Sequence, residues 1–174
     1  MASYLTPAIE AMHEQAQEQG LLFLTELGLD PGLDHLSAQQ AIDDLKTNGA
    51  TIRGFSSYTG GLVAPESDDN PWHYKISWNP MNVVKAGQQG AQFYQDGKAK
   101  VVPYQQLFKR TTPITIPEYG TLDGYFNRNA LAYAHRYGIP EAETVIRGTL
   151  RQPGFCSSWD LLVQTGLTDH NNKL

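Results

Sequence analysis

Gly28-Leu29-Asp30-Pro31-Gly32 joins an apolar run, residues 21–24, to an amphipathic run, residues 33–45. The first run is typical of a buried strand and the second of a helix. Asp30 is therefore expected where a strand ends and a helix begins, with Asp30 as the N-cap and Pro31 as the first helical residue. Ligands of open α/β sheets bind near the carboxyl ends of strands. The pattern predicts that Asp30 is a helix cap, a binding-site carboxylate, or both.

The composition is typical of a globular protein, with 174 residues, 40% of them apolar, and a formal charge of −5. The acidic balance predicts neither a nucleic-acid nor a membrane partner. No apolar run is long enough to cross a bilayer. The single cysteine, Cys156, cannot form an internal disulfide, which fits a reducing cytoplasm. One cysteine and scattered histidines give no pattern typical of a metal site.

Hydrophobic periodicity and turn residues predict helices interspersed among strands, with no internal repeat. Asp96-Gly97, which lies between two short apolar runs, is a strong hairpin signal. The predicted helices span residues 6–20, 31–46, 80–86, 129–137 and 156–164. The predicted strands span residues 21–25, 50–58, 74–78, 91–94, 98–102, 112–116, 121–126 and 143–151. This organisation indicates an α+β domain.

The predicted strand 143–151 alternates in side-chain type. Ile146 and Leu150 point one way and suit a core, whereas Val145 and three polar residues, Arg147, Thr149 and Arg151, point the other way. Periodicity alone favours a solvated polar face for these three residues. The alternative is that the paired guanidiniums bind carboxylates, which arginine recognises through two parallel hydrogen bonds.

Arg128 lies just ahead of the predicted helix 129–137, where a solvent-facing arginine is the favoured interpretation and an anion contact the alternative. Three motifs of nucleotide and acyl chemistry are missing from the sequence: G-x-G-x-x-G, G-x-x-x-x-G-K-S/T and G-x-S-x-G. The 174 residues therefore contain no nucleotide-phosphate loop.

Four blocks follow one another along the chain: Glu26–His35 (ELGLDPGLDH), Ser57–Glu66 (SYTGGLVAPE), Asp69–Trp78 (DNPWHYKISW) and Ile139–Arg151 (IPEAETVIRGTLR). Together they resemble the saccharopine dehydrogenase family of the NADP-dependent, glutamate-forming type. The resemblance extends from about residue 4 to residue 166. Four blocks in the same order are more specific than any single motif.

The resemblance implies two parts. Residues 1–27 would be the last helix and strand of a Rossmann nucleotide-binding domain, and residues 28–174 a substrate-binding and dimerisation domain. The second domain is expected to hold a mixed, largely antiparallel sheet with helices packed on one face, like the catalytic domain of glyceraldehyde-3-phosphate dehydrogenase. Because the glycine-rich loop is missing, we expect the chain alone to bind NADP weakly and to be inactive.

Cofactor contacts and a catalytic residue also follow from the resemblance. Leu29, Asp30 and Pro31 would lie beside the nicotinamide of NADP, and Ser77 would contact the same cofactor. Asp30 would in addition be the catalytic carboxylate, which holds the secondary ammonium of saccharopine or moves its proton.

The substrate contacts that the resemblance implies are Asp30, Arg128 and the run Thr149-Leu150-Arg151, with the arginines clamping carboxylates of saccharopine. The implied activity interconverts saccharopine with L-glutamate and 2-aminoadipate 6-semialdehyde using NADP(H), in lysine metabolism, in a cytoplasmic homodimer. Two alternatives remain open. One is a non-catalytic, truncated dimerisation or binding module, and the other is a related amino-acid or polyamine dehydrogenase that acts on another imine.

Overall fold

The computed structural model describes residues 4–169. The chain divides into two compact units, and the division falls between Thr51 and Ile52. The first unit is helical in its described part, and the second contains every strand assigned in residues 4–169. Helices and a mixed, largely antiparallel sheet together confirm the predicted α+β class.

Between residues 4 and 51 the first unit contains three helices, α1 (Pro7–Glu10), α2 (His13–Glu18) and α3 (Leu33–Thr47). The helix predicted over residues 6–20 is therefore interrupted after four residues. The strand predicted over residues 21–25 is wrong, because no strand within residues 4–169 pairs with this segment. Its four leucine and phenylalanine side chains are all more than half exposed. An apolar run becomes a strand only where a neighbouring strand takes up its backbone hydrogen bonds.

The turn before α3 is closed by glycine rather than by the predicted aspartate cap. Gly32 is the N-cap residue of α3, and its N–H donates to Asp34 Oδ1 at 2.8 Å. Gly32 has φ +150°, and a Cβ there would lie 2.1 Å from the carbonyl oxygen of Gly28. The predicted cap role of Asp30 and the predicted helical position of Pro31 are therefore wrong; the peptide bond between them is cis.

The second unit is built on a seven-stranded sheet. Its strands are β1 (Gly54–Thr59), β2 (Ala91–Gln95), β3 (Lys98–Val102), β4 (Thr112–Ile116), β5 (Gly120–Phe126), β6 (Arg128–Asn129) and β7 (Thr144–Arg151). The main order is β3-β2-β7-β5-β4, with β1 beside β7 and β6 beside β2. The β1–β7 and β2–β6 pairs are parallel and the others antiparallel. The hairpin predicted at Asp96-Gly97 is confirmed between β2 and β3.

Strand β7 is the centre of the sheet, because it pairs with β1, β2 and β5. Side chains on both of its faces are buried. The ring of Tyr58 in β1 lies against Gly148, where a Cβ would be 2.1 Å from Tyr58 Cε1. Gly148 therefore leaves the space that the tyrosine ring fills, and Gly124 in β5 borders the same ring.

The remaining helices of the second unit are short except the last: α4 (Pro80–Val84), α5 (Tyr104–Leu107), α6 (Tyr133–Arg136) and α7 (Phe155–Gln164). The helix predicted over residues 129–137 is wrong in its first part, because Arg128–Asn129 pairs with β2 as a strand. The strand predicted over residues 74–78 is a loop that makes no ladder within the described chain. Within residues 4–169, no helix has the length and apolar character that crossing a membrane requires.

Candidate functional site

Strand β7 carries two arginines on one face. Residues opposite each other in a sheet ladder point to the same side, so the register places Asp123 beside Arg151 and Tyr125 beside Thr149. On the other edge of β7, Ser57 of β1 lies opposite Arg147. The tertiary structure thus surrounds both guanidiniums with residues from distant parts of the chain.

Arg147 is buried, with 6% of its surface exposed. Its Nη1 donates a hydrogen bond to Tyr133 Oη at 2.8 Å, and its Cζ lies 4.5 Å from the centroid of the same ring. A guanidinium stacked on a tyrosine face gains cation–π stabilisation. The aromatic partner is supplied by α6, which is fourteen residues away in sequence.

Arg151 is equally buried, with 6% exposed. Its Cζ lies 4.7 Å from the ring centroid of Tyr74 and 5.2 Å from that of Phe155. Its Nη1 donates to the carbonyl oxygen of Leu150 at 3.1 Å. No carboxylate within residues 4–169 comes within 4 Å of this guanidinium, and its Nε has no hydrogen-bond acceptor.

The two buried arginines correct the interpretation of this face as solvated. Alternation along β7 does place Arg147, Thr149 and Arg151 on one side, but that side is covered by aromatic rings. A buried cation without a counter-charge is costly, because its hydration is lost and not replaced. The Arg151 position is therefore suited to an anionic ligand.

Burial also controls the protonation of groups around Arg151. Burial raises the pKa of Tyr74 and of Tyr125 above 10.0, and the charge of Arg151 opposes both shifts. Burial raises the pKa of the Cys156 thiol to about 12, with Asp123 adding to the increase and Arg151 opposing it. These phenols and this thiol are therefore protonated at neutral pH.

The other predicted site residues of the second unit differ in burial and in their position relative to β7. Thr149 is half-buried on the face of Arg151, whereas the buried side chain of Leu150 points to the opposite face. Arg128 is exposed in β6 with φ +52°, and the preceding N–H, of Asn127, donates to the carbonyl oxygen of Arg147 at 2.8 Å. Ser77 is exposed in the loop before α4.

The residues predicted in the first unit lie in the turn before α3. Leu29 is 61% exposed, Pro31 is buried and Asp30 is half-buried. Asp30 Oδ1 accepts a hydrogen bond from Tyr4 Oη at 2.5 Å. The carboxylate therefore contacts a side chain that is 26 residues away in the sequence.

Tyr74 and Tyr133 are two of the residues covering the arginine face of β7 that sequence reasoning did not single out. Both are aromatic and lie outside the strands, and core packing is the default interpretation of such residues. Tyr74 belongs to the block Asp69–Trp78, and that block was the only signal that could have indicated it. Among residues 4–169, no group of three or more histidine, cysteine or acidic side chains is placed to hold a metal ion.

Comparison with known proteins links this architecture to one family. Residues 28–174 match the model of the saccharopine dehydrogenase C-terminal domain. The bovine mitochondrial alpha-aminoadipic semialdehyde synthase is 42% identical over 171 residues, which are 98% of this chain and 18% of that protein. Saccharopine dehydrogenase [NADP(+), L-glutamate-forming] of Saccharomyces cerevisiae is 41% identical over 175 residues, which are 99% of this chain and 39% of that protein.

Comparison with solved structures indicates the same family. The apo structure of histidine-tagged saccharopine dehydrogenase (L-Glu forming) from Saccharomyces cerevisiae matches with a TM-score of 0.86 and 38% identity. The match covers 99% of this chain and 39% of that one. The chain thus spans between about a fifth and two fifths of the length of these relatives. It belongs to the saccharopine dehydrogenase C-terminal domain family.

Proposed function

We propose that this chain is the substrate-binding part of an oxidoreductase that interconverts saccharopine with L-glutamate and 2-aminoadipate 6-semialdehyde using NADP(H), in lysine metabolism. One observation carries the proposal: in a member of this family, Arg151 is a buried guanidinium with no carboxylate partner in the described chain. Saccharopine has three carboxylates, so it supplies the missing counter-charge. The name of the yeast relative supports the reaction and the cofactor.

The proposed chemistry divides between anion binding and proton transfer. Arg151 and Arg128 hold carboxylates of saccharopine, and Thr149 with the backbone of Leu150 lines the same strand. Asp30 holds the secondary ammonium or takes its proton. When bound, NADP+ would supply the hydride acceptor for oxidation of the carbon next to that nitrogen, and hydrolysis of the resulting imine would give glutamate and the semialdehyde.

Cofactor binding by these 174 residues is proposed to be partial. Leu29, Asp30 and Pro31 lie beside the nicotinamide in this proposal, and Ser77 contacts the cofactor. The sequence contains no G-x-G-x-x-G, so we place most NADP contacts outside it. We therefore propose that residues 1–27 end a nucleotide-binding domain, and that the chain alone has no turnover.

The proposal also covers the role of the second domain, the oligomeric state, the location in the cell and the likeness of the fold. We propose that residues 28–174 form a substrate-binding and dimerisation domain of a cytoplasmic homodimer. We also propose a likeness to the catalytic domain of glyceraldehyde-3-phosphate dehydrogenase, with helices on one face of the sheet. Sedimentation of the purified chain tests the dimer, because a monomer at all concentrations contradicts it.

Calorimetric binding of saccharopine tests the proposed substrate. We expect Arg151→Met to weaken binding roughly 100-fold, since two charge-assisted hydrogen bonds are lost. Methionine keeps much of the volume and removes a buried charge, so the thermal midpoint should not fall. Arg53→Ala is the control, because Arg53 is exposed and its one ion pair among the described residues is with Glu143, at 2.9 Å. Unsubstituted protein that does not bind saccharopine refutes the substrate.

NADPH oxidation in the presence of the semialdehyde and glutamate separates the enzyme from the alternatives. Turnover by the pure chain would exclude a non-catalytic module. Saccharopine binding without turnover is the result expected if most NADP contacts lie outside these 174 residues. Binding of a different amino acid or polyamine in preference to saccharopine would identify another imine dehydrogenase.

A further inference from the structure

Three buried hydrogen-bond donors around Phe155 have no acceptor within residues 4–169: Arg151 Nε, Tyr74 Oη and Trp159 Nε1. The Tyr74 ring centroid lies 5.1 Å from that of Phe155, and the Trp159 ring stacks on Phe155 at 5.5 Å. Native proteins rarely keep a buried donor unpaired, because its hydration is lost on folding without a replacement. All three donors belong to side chains that pack against the Phe155 ring.

The positive charge of Arg151 indicates that the missing hydrogen-bond acceptor is anionic. Arg151 is cationic, and the only protein acceptor of its hydrogen bonds in the described chain is the carbonyl oxygen of Leu150. Asp123 is opposite Arg151 in the ladder, but its carboxylate lies more than 4 Å from the guanidinium. An anionic oxygen from a ligand fits a cation and unpaired donors better than a neutral group does.

We propose that Tyr74 contacts the substrate, and that its hydroxyl donates a hydrogen bond to the carboxylate that Arg151 binds. The inference rests on the proposed function and adds a residue and a ligand class to it. The class is a short dicarboxylate or acidic amino acid, whose methylene groups lie against the rings of Tyr74 and Phe155. Tyr74 is thus a binding residue that contributes to specificity.

The residues on both sides of Tyr74 make side-chain contacts within the same loop, a hydrogen bond at His73 and an ion pair at Lys75. His73 Nδ1 lies 2.6 Å from Asp68 Oδ2, and Lys75 Nζ lies 2.9 Å from Asp69 Oδ1. The Tyr74 ring already packs against the Arg151 guanidinium and the Phe155 ring. Such preorganisation lowers the entropic cost of binding.

Tyr74 is also in the right chemical state to donate. Burial raises the pKa of its hydroxyl above 10.0 despite the opposing charge of Arg151. The phenol therefore carries its proton throughout the neutral range. A deprotonated oxygen would repel the carboxylate instead of binding it.

Calorimetry with glutarate as the probe tests the inference on the full chain. We expect Tyr74→Phe to weaken glutarate binding about tenfold, which is the loss of one hydrogen bond to a charged group. Tyr119→Phe is the matched control, because Tyr119 is exposed and its hydroxyl accepts a single long bond in the described part of the chain, from Gln152 at 3.4 Å. We expect its affinity to stay within about twofold.

The thermal midpoint separates a binding role from a structural one. Tyr74→Phe removes an unpaired buried donor and keeps the ring, so its midpoint should equal or exceed that of the unsubstituted chain. A lower midpoint with unchanged glutarate affinity would show that the hydroxyl serves only the fold, which overturns the inference. Equal glutarate affinity at an equal midpoint overturns it as well.

Saccharopine titrations distinguish failure of the inference from failure of the proposed function. If saccharopine binds in an Arg151-dependent manner and Tyr74→Phe has no effect, the inference is wrong and the proposed function stands. If glutarate binds in a Tyr74-dependent manner and saccharopine does not bind, the proposed substrate is wrong and the inference stands. Absence of glutarate binding by the unsubstituted chain refutes the inference.

Discussion

Replacement of Gly148 by alanine should destabilise the sheet, because the new methyl group has no space. A Cβ at Gly148 would lie 2.1 Å from Tyr58 Cε1 and 2.9 Å from the carbonyl oxygen of Tyr125. Carbon atoms in contact need about 3.5 Å, so the Tyr58 ring must retreat by roughly 1.4 Å. The same ring borders Gly124, where a Cβ would be 3.1 Å from Tyr58 Cε1.

The expected cost lies at the upper end of overpacking, about 3 kcal/mol, because the new Cβ would also clash with a backbone carbonyl oxygen, that of Tyr125. A chain of this size loses about 2–4 °C in its thermal midpoint for each kcal/mol. We therefore expect Gly148→Ala to lower the midpoint by roughly 6–12 °C in differential scanning calorimetry.

Two further variants show whether the contact with Tyr58 causes the loss. Gly54→Ala is the matched control in β1, because its Cβ would lie 3.9 Å from Thr144 Cβ, an ordinary contact. We expect it to change the midpoint by no more than about 2 °C. Adding Tyr58→Val to Gly148→Ala should recover at least about 1 kcal/mol relative to additivity. Additive effects, or equal midpoints for the two alanine variants, would refute the steric explanation.

Three other predictions concern stability. Because burial raises the pKa of Cys156 from 9.0 to about 12, the unfolded chain releases this proton first. The free energy of unfolding should then fall as the pH rises above 9, by up to ~1.4 kcal/mol per pH unit. Urea titrations at pH 9 to 10 should show a smaller slope for Cys156→Ala, and an unchanged slope contradicts the assignment. Asp34→Ala should cost about 1–2 kcal/mol in urea unfolding, because the 2.8 Å bond to the Gly32 N–H is lost. Asp43→Ala on the exposed side of α3 is its control, and an equal loss in both variants would contradict the role of that bond. Gly97→Ala should cost about 1 kcal/mol, because Gly97 has φ +72° and its surroundings are open. No change in its calorimetric midpoint would show that the turn is not strained.

Local chemistry explains why some elements could be predicted from sequence. The Asp96-Gly97 turn encodes its own conformation, since both residues have positive φ, and it predicted the β2–β3 hairpin correctly. The amphipathic run after Gly32 predicted α3 to within two residues at its start. The alternation in residues 143–151 predicted β7 and the shared face of Arg147 and Arg151.

Other features depend on which residues, distant in the sequence, pack next to each other in the fold. The apolar run 21–24 has the composition of a strand but pairs with none in the described chain, because a ladder needs a partner. Asp30 has the chemistry of a cap, yet its carboxylate bonds to Tyr4, while Gly32 begins the helix. Side-chain type alone does not fix which of two compatible hydrogen bonds forms.

The sequence by itself determined the family, the class of fold and the strand that carries the two arginines, because these follow from local periodicity and ordered motifs. Only the tertiary structure decided that the arginine face is buried. Rings from Tyr74, Tyr133 and Phe155 cover it, and the first of these is 77 residues from Arg151. Alternation specifies the direction of a side chain, whereas its dielectric surroundings depend on what packs against it.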